Sequence, residues 1–339
     1  MKKLQILVLS NTDQCCDPRV NRQLRILRND FDVVSCGTTK IKMDGIRSVA
    51  GCRTSISRWQ KLSRIPLLLA GRYEEYYWTH PVTTNALQSL ATLSPDVIVA
   101  NDIEMLPLAL RLASSRPVVV DMHEFAPRQF EEKWKFRFLY QRYLDHLCFT
   151  YLPKAAAMIT ISDTFAQFFK QQYGVSADVI LNAPDYEDDI QPSETERNRI
   201  RIVHHGIFSA SRRPELMLEV MKHLDSRFEL SLFFAGSTQP SGRFVRQAAT
   251  IPTVHICSPL PMRAIARSVN EFDVGMCFLP PTNFNLQHSL PNKFFEYIQA
   301  RLALAIGPTP DMKRIVDEHH LGVIAHDFKP ESLAKQLNT

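Results

Sequence analysis

The chain has 339 residues, 45% hydrophobic and 22% charged, long enough for two cores and too apolar to be disordered. Its formal charge of +5 suits an anionic small molecule or an anionic membrane surface. It is too weak for nucleic acid, and no basic run carries interleaved aromatics. Seven cysteines, an odd number without a C-x-x-C pair, argue for free thiols in a reducing compartment. The pairs His204-His205 and His319-His320 lack a third ligand at metal spacing, so no metal is expected.

The opening apolar run LQILVLS is too short for a signal peptide, and nothing approaches the roughly 20 apolar residues of a membrane span. A cytoplasmic location is expected, with any membrane contact peripheral at the inner face. LQILVLS, FDVVSC, DVIVA, PVVVDM, AAMITIS and DVILNA read as buried strands, β-branched and without alternation. Between them run helical patterns: DPRVNRQLRILRN, EMLPLALRLAS and SDTFAQFFKQQYG. Asp17 and Ser162 suit N-caps, Pro18 the first helical position and Gly174 a C-terminal stop. Strand–helix alternation of this kind predicts a parallel sheet covered on both faces.

Residues 55–80 break the pattern. Arg58, Lys61, Arg64 and Arg72 mix with Trp59, Leu67–Leu69, Tyr76, Tyr77 and Trp78. This is the composition of an interfacial segment or of a helical insertion packed on the first domain. Residues 184–199 are acidic, polar and proline-containing, as a linker is. After them the alternation restarts with IRIVHHG, ELSLFFAG, TVHICS, DVGMCFLP, LALAIG and LGVIAH. The expectation is an α/β protein of two Rossmann-like, doubly wound domains, 1–183 and 200–339, joined by 184–199. Ligands bind at the carboxyl ends of such strands, here expected at edges that face each other across a cleft.

Within SLPNKFFEYIQA (289–300), about 100° per residue puts Pro291, Phe294, Phe295 and Ile298 on one helix face. Asn292, Lys293 and Glu296 fall together on the other. A solvated Lys–Glu pair would contribute about 0.2–0.5 kcal/mol, whereas a helix start with a lysine is a natural anion site.

Six landmarks in order resemble one family. They are DPRVNRQLRIL, ANDIEMLPLALRLA, VVVDMHEFAPR, the pair ISDTF and VILNAPD, IVHHGIFSASRRPELML, and SLPNKFFEYIQA. Together they are similar to the retaining glycosyltransferases of GT-B fold, which use nucleotide sugars. The resemblance implies transfer of a sugar from a nucleotide sugar to a glycan or lipid-linked acceptor, with retention, no cofactor and no metal. It implies a donor site of Gly206, Arg212, Arg213, Gly236, Leu260, His288, Ser289, Leu290, Asn292, Lys293 and Glu296, with Glu296 on the ribose. Acceptor contacts would come from Arg19, Asp102, His123 and Glu124, and the catalytic groups would be His123, Lys293 and Arg213.

Three positions depart from the family pattern. His288 stands where a glutamate commonly contacts the sugar, and Phe208 replaces a basic residue, so that one phosphate contact is either missing or supplied by Arg19. Arg301 occupies the glycine stop after the long helix, so either the helix runs longer or the turn is built differently. A nucleotide-sugar 2-epimerase and a catalytically silent nucleotide-sugar-binding subunit are the alternatives. The closing PESLAKQLNT leaves little room for the family's final crossing helix, so a shortened C-terminus is expected.

Overall fold

The computed structural model describes residues 3–51, 56–209, 212–236, 238–261 and 264–339. Ser55, expected to open the interfacial segment, and Ala210 and Ser211, inside the second domain's opening motif, lie outside the described residues. Two compact units result, Met1–Leu181 and Asn182–Thr339.

The first unit carries seven parallel strands. They are β1 (Gln5–Leu9), β2 (Asp32–Gly37), β3 (Ile46–Ala50), β4 (Val97–Asn101), β5 (Val118–Met122), β6 (Ala157–Thr160) and β7 (Asp178–Val179). Their order is β3-β2-β1-β4-β5-β6-β7, so the winding reverses between β1 and β4, the crevice where such sheets bind ligands. The central strands are largely apolar because helices cover both faces, and Val8, Leu9, Val33, Val34, Ile98 and Val120 are all buried. The helix Pro18–Asp30 starts on Asp17, whose carboxylate accepts from the amides of Arg19 and Val20. Ser162 caps Asp163–Tyr173, and Gly174 ends it at φ 71°. Each side-chain cap contributes about 1 kcal/mol.

The second unit repeats the plan with six parallel strands. These are β8 (Ile200–Ile207), β9 (Phe228–Ala235), β10 (Val254–Cys257), β11 (Val274–Cys277), β12 (Ala303–Ile306) and β13 (Gly322–Ile324), in the order β10-β9-β8-β11-β12-β13. Here the reversal lies between β8 and β11. Residues 184–199, expected as a linker, fold into this unit. Ile190 is buried in its core, and Arg267 pairs with Glu187 and Asp189. The acidic composition that suggested a solvated connector instead supplies partners for an arginine.

At Arg301 neither expected alternative occurs: the helix does not run longer, and the chain makes the left-handed stop that a glycine would make, with an arginine in it. The helix Asn292–Gln299 ends on Ala300, and Arg301 takes φ 64°. The Leu302 amide bonds Tyr297 O and the Arg301 amide bonds Ile298 O, each at 3.0 Å, the paired bonds of a Schellman turn. The Arg301 guanidinium then donates to Gln299 O at 2.9 Å. A helix-end carbonyl gains a cation where a glycine would leave it to water.

Candidate functional site

The carboxyl ends of β4 and β5 lie side by side, with Asn101 opposite Asp121 in register. That pairing gathers a polar cluster. Arg19, from the first turn of Pro18–Asp30, grips buried Asp121 with two donors at 2.8 Å each and donates a third to Ile180 O at 2.7 Å. Gln23, one turn on, also donates to Asp121. His123 Nε2 faces Asn101 Oδ1 at 3.1 Å and Asp121 at 3.4 Å, while its Nδ1 lies 3.9 Å from Asp102. Burial alone would lower the pKa of His123. The charge of Asp102 and the hydrogen bond to Asp121 outweigh it and raise the imidazole to about 9. His123 is therefore an imidazolium at neutral pH.

Asp102 adopts φ 67°, ψ 160°, a region that is nearly glycine's alone and costs about 1–3 kcal/mol. Two contacts hold it there. Its amide bonds Asp121 O at 2.9 Å, and its carboxylate accepts from the His123 amide at 3.3 Å. Burial raises the Asp102 pKa against the pull of His123. Backbone strain, a charged histidine and a raised carboxyl together mark this strand edge as a place for chemistry.

In the second unit the helix Asn292–Gln299 rises between β11 and β12. It lies close on the sheet because Gly275 has no side chain: a Cβ there would sit 2.3 Å from the Tyr297 ring. The Tyr297 hydroxyl accepts from the His205 amide at 3.1 Å. This approach buries the polar face of the helix as well, leaving Lys293 and Glu296 each 7% exposed. The solvated-pair reading fails on that observation.

Lys293 crosses the end of β8. At Gly206, with φ 136°, an added Cβ would lie 2.7 Å from Lys293 Nζ, so glycine gives the lysine its room. His204 Nδ1 donates to Met276 O at 2.9 Å, which makes Nε2 the acceptor for Lys293 Nζ at 3.3 Å. Burial lowers Lys293 to about 8, and the charge of Arg212 adds to the effect. His204 is held neutral by burial and by Lys293. His205 is pushed down to about 3, first by burial and then by Lys293. Glu296 Oε2 lies 3.3 Å from His205 Nε2, but not at a hydrogen-bonding angle. That buried nitrogen has no hydrogen-bond partner among the described residues.

The remaining expected positions sort around this centre. Arg212 acts on Lys293 and His204 electrostatically, whereas Arg213 sits at φ 50° and lies 3.9 Å from Glu215 with most of its side chain exposed. Phe208 is no site residue, because it packs edge-on against Phe234 and Phe244 in the core. The Arg19 guanidinium bonds Asp121 and Ile180 O. Gly236 follows β9 at φ 92°, and Leu260 packs beside the core under the helix. Ser289 bonds Leu286 O at 3.2 Å, Leu290 is buried, and Asn292 is half-buried at the helix start. Glu124 follows His123, half-buried.

Two partners escaped the sequence reading. Asp311, 2% exposed, holds His288 Nδ1 at 3.1 Å, so a His–Asp pair stands where a glutamate was expected. Its only sequence signal is an acid in the first turn after Pro310. The other is the pair His204-His205, weighed for metal spacing alone. Among the described residues no group of three His, Cys, Asp or Glu side chains is placed to hold a metal ion.

Residues 19–188, half the chain, match the model of Glycosyltransferase Family 4. No curated protein sequence matches. Among solved structures, sucrose-phosphate synthase from Thermosynechococcus elongatus aligns with TM-score 0.72 and 11% identity over 99% of this chain and 89% of its own. Anabaena HepE in complex with UDP-glucose aligns with TM-score 0.65 and 13% identity over 99% and 89%. S. aureus TarM aligns with TM-score 0.60 and 9% identity over 76% of this chain, which spans only 51% of TarM. At these identities the likeness carries the fold, which is GT-B.

Proposed function

The chain belongs to glycosyltransferase family 4, and from that premise we propose that it transfers a sugar from a nucleoside diphosphate sugar to a glycan or lipid-linked acceptor. One observation carries the reading: Lys293, 7% exposed, is held over Gly206 at the carboxyl end of β8 with its pKa lowered to about 8. A buried ammonium is costly without a counter-ion, and a diphosphate arriving at a strand end supplies one. Arg212 adds a second cation. The carboxylate of Glu296, 3.3 Å from the unpartnered Nε2 of His205, offers a charged acceptor for nucleoside hydroxyls. A bound UDP-glucose in HepE supports uridine as the first base to try.

In the transfer, the anomeric carbon's bond to the β-phosphate oxygen breaks and its bond to the acceptor oxygen forms. Negative charge grows on the leaving diphosphate, where Lys293 and Arg212 stabilise it. His123 enters already protonated, so it donates to a substrate oxygen and does not take the acceptor's proton. Retention, which the family resemblance implies, would have the leaving phosphate oxygen take the acceptor's proton on the same face. Two side-chain cations at the diphosphate favour a metal-independent reaction, with turnover unchanged by a chelator.

We further propose peripheral contact with an anionic membrane. Trp59 is 80% exposed and Trp134 66%, with Leu62, Leu69 and Phe138 also exposed, and Arg58, Lys61, Lys133, Lys135 and Arg137 are exposed beside them in sequence. Helices Ile65–Leu69 and Trp134–Leu139 touch, which brings the two segments together. The second half of the expected interfacial stretch instead packs inward, with Tyr77 buried and Trp78 under Arg111 at 4.7 Å.

A panel of nucleotide sugars incubated with the protein tests the transfer reading. Slow release of sugar into water from one donor is the expected result. Interconversion of free sugar would establish the epimerase, and inert binding the silent subunit. For the membrane, co-sedimentation with phosphatidylglycerol vesicles and release by salt are expected. Equal binding to phosphatidylcholine would sink that part.

A further inference from the structure

The first unit contains a cavity of about 360 Å³ that the donor chemistry leaves unused. Helix Tyr73–Trp78 supplies Tyr76 and Tyr77 to its wall, and the helices Trp134–Leu139 and Gln141–Tyr151 supply Phe136 and Tyr143. Tyr76 and Tyr143 meet edge-on at 5.0 Å, and Phe136 stacks on Tyr140 at 6.4 Å. Opposed to these rings are Asn11, past the end of β1, and Glu104, past the end of β4. Asn11 donates to the Glu104 carboxylate at 2.9 Å, and the Tyr77 hydroxyl fixes Glu104's carbonyl at 2.8 Å. Glu104 lies two residues after Asp102, so the cavity adjoins the strand edge that carries His123.

We propose that this cavity seats a neutral pyranose ring of the acceptor, its C–H face on the aromatic wall and its hydroxyls on Glu104 and Asn11. The word acceptor rests on the glycosyltransferase reading; the binding does not. The lining decides against the other ligand classes. It contains no lysine or arginine, and burial together with Arg64 and Lys61 drives His80 down to about 4. Arg64 stacks on Tyr76 at 4.7 Å but directs donors to the Tyr76 and Thr79 carbonyls. The one charged side chain that a phosphate or other anionic headgroup would meet in the lining is Glu104. A hydrocarbon chain would shut the Glu104 carboxylate and the Asn11 amide away from water and offer them nothing beyond their bond to each other. A sugar satisfies both halves, because its ring offers an apolar face and its hydroxyls both donate and accept. The volume is at the small end of ligand pockets, which fits a terminal ring rather than a long chain.

Saturation-transfer NMR on the full chain tests this, using the methyl α- and β-glycosides of glucose, galactose, mannose and N-acetylglucosamine. Binding of at least one glycoside is expected, weakened tenfold or more by Phe136→Ala and by the nearly isosteric Glu104→Gln. UDP titration and melting curves run alongside. The expected variants keep wild-type UDP affinity, and Glu104→Gln keeps its melting temperature, so it decides the matter even where Phe136→Ala fails to fold. No glycoside bound, equal binding by Glu104→Gln, or capture of farnesol in preference to every glycoside overturns the proposal. Glycoside binding without UDP binding would overturn the donor reading alone; UDP binding without glycoside binding would overturn this one alone.

Discussion

Two histidines at the carboxyl edges of the two sheets stand in opposite charge states. His123 has Asp102 and Asp121 beside it and is raised to about 9. His205 has Lys293 near it and is pushed down to about 3. Both are desolvated, so burial does not distinguish them. The neighbours do: two carboxylates face His123 in one unit, whereas in the other an ammonium stands near His205 with a single carboxylate, Glu296, 3.3 Å from its Nε2. One doubly wound edge thereby presents an imidazolium, and the other a neutral imidazole near an ammonium. The same architecture has been given two chemistries by a handful of side chains.

The largest way to break the contrast is Asp121→Asn. It strips the partner from buried Arg19 and from His123, and loss of about 3–5 kcal/mol of stability is expected in chemical denaturation. The His123 titration, followed by NMR, should fall below 9 with it. On the other side, Lys293→Met should lower turnover by about 2.7–4 kcal/mol, roughly a hundredfold to a thousandfold. Melting temperature should not drop, because the change removes a charge whose burial is unfavourable. Phe295→Ala is the opposite case, expected to lose about 3–5 kcal/mol of stability from the core behind the helix.

A finer probe is pH. His123 binds its proton more tightly folded than unfolded, so its contribution is complete below about 6.5 and is lost as pH rises through about 9. His205 and Lys293 have lowered values, so the unfolded chain binds more protons. Their effect raises stability with pH, from about 3 to 6.5 for His205 and from about 8 to 10.5 for Lys293. Denaturation of His123→Gln across pH 6.5–9 should lack the falling limb. The smallest effect is on ligand: UDP affinity should decline above pH 8, by no more than about tenfold per unit, as Lys293 loses its proton.

Much of this was legible in the residues, and the parts that were not share a cause. Twelve apolar runs gave twelve strands because buried parallel strands need no polar alternation. The thirteenth, IRSVA at Ile46–Ala50, escaped because it is an edge strand that tolerates Arg47 and Ser48. Helix periodicity placed Lys293 and Glu296 on one face but did not say what covers that face. The answer depends on β8, some ninety residues upstream, and on the missing side chain of Gly275. Asp311 behind His288 and the folding of residues 184–199 into the second unit are likewise long-range facts. The Arg301 turn was visible as an anomaly, while its solution required knowing where the guanidinium goes.

The buried polar face of Asn292–Gln299 is the proposed nucleotide site. Titrating UDP calorimetrically into the wild type, Lys293→Met and Glu296→Gln at pH 7 tests it most directly. A charge-assisted hydrogen bond contributes about 1.5–3 kcal/mol, so each variant should bind roughly tenfold to a hundredfold more weakly at an unchanged melting temperature. Wild-type affinity in both variants would contradict the account and leave Lys293 and Glu296 as buried structural polar groups.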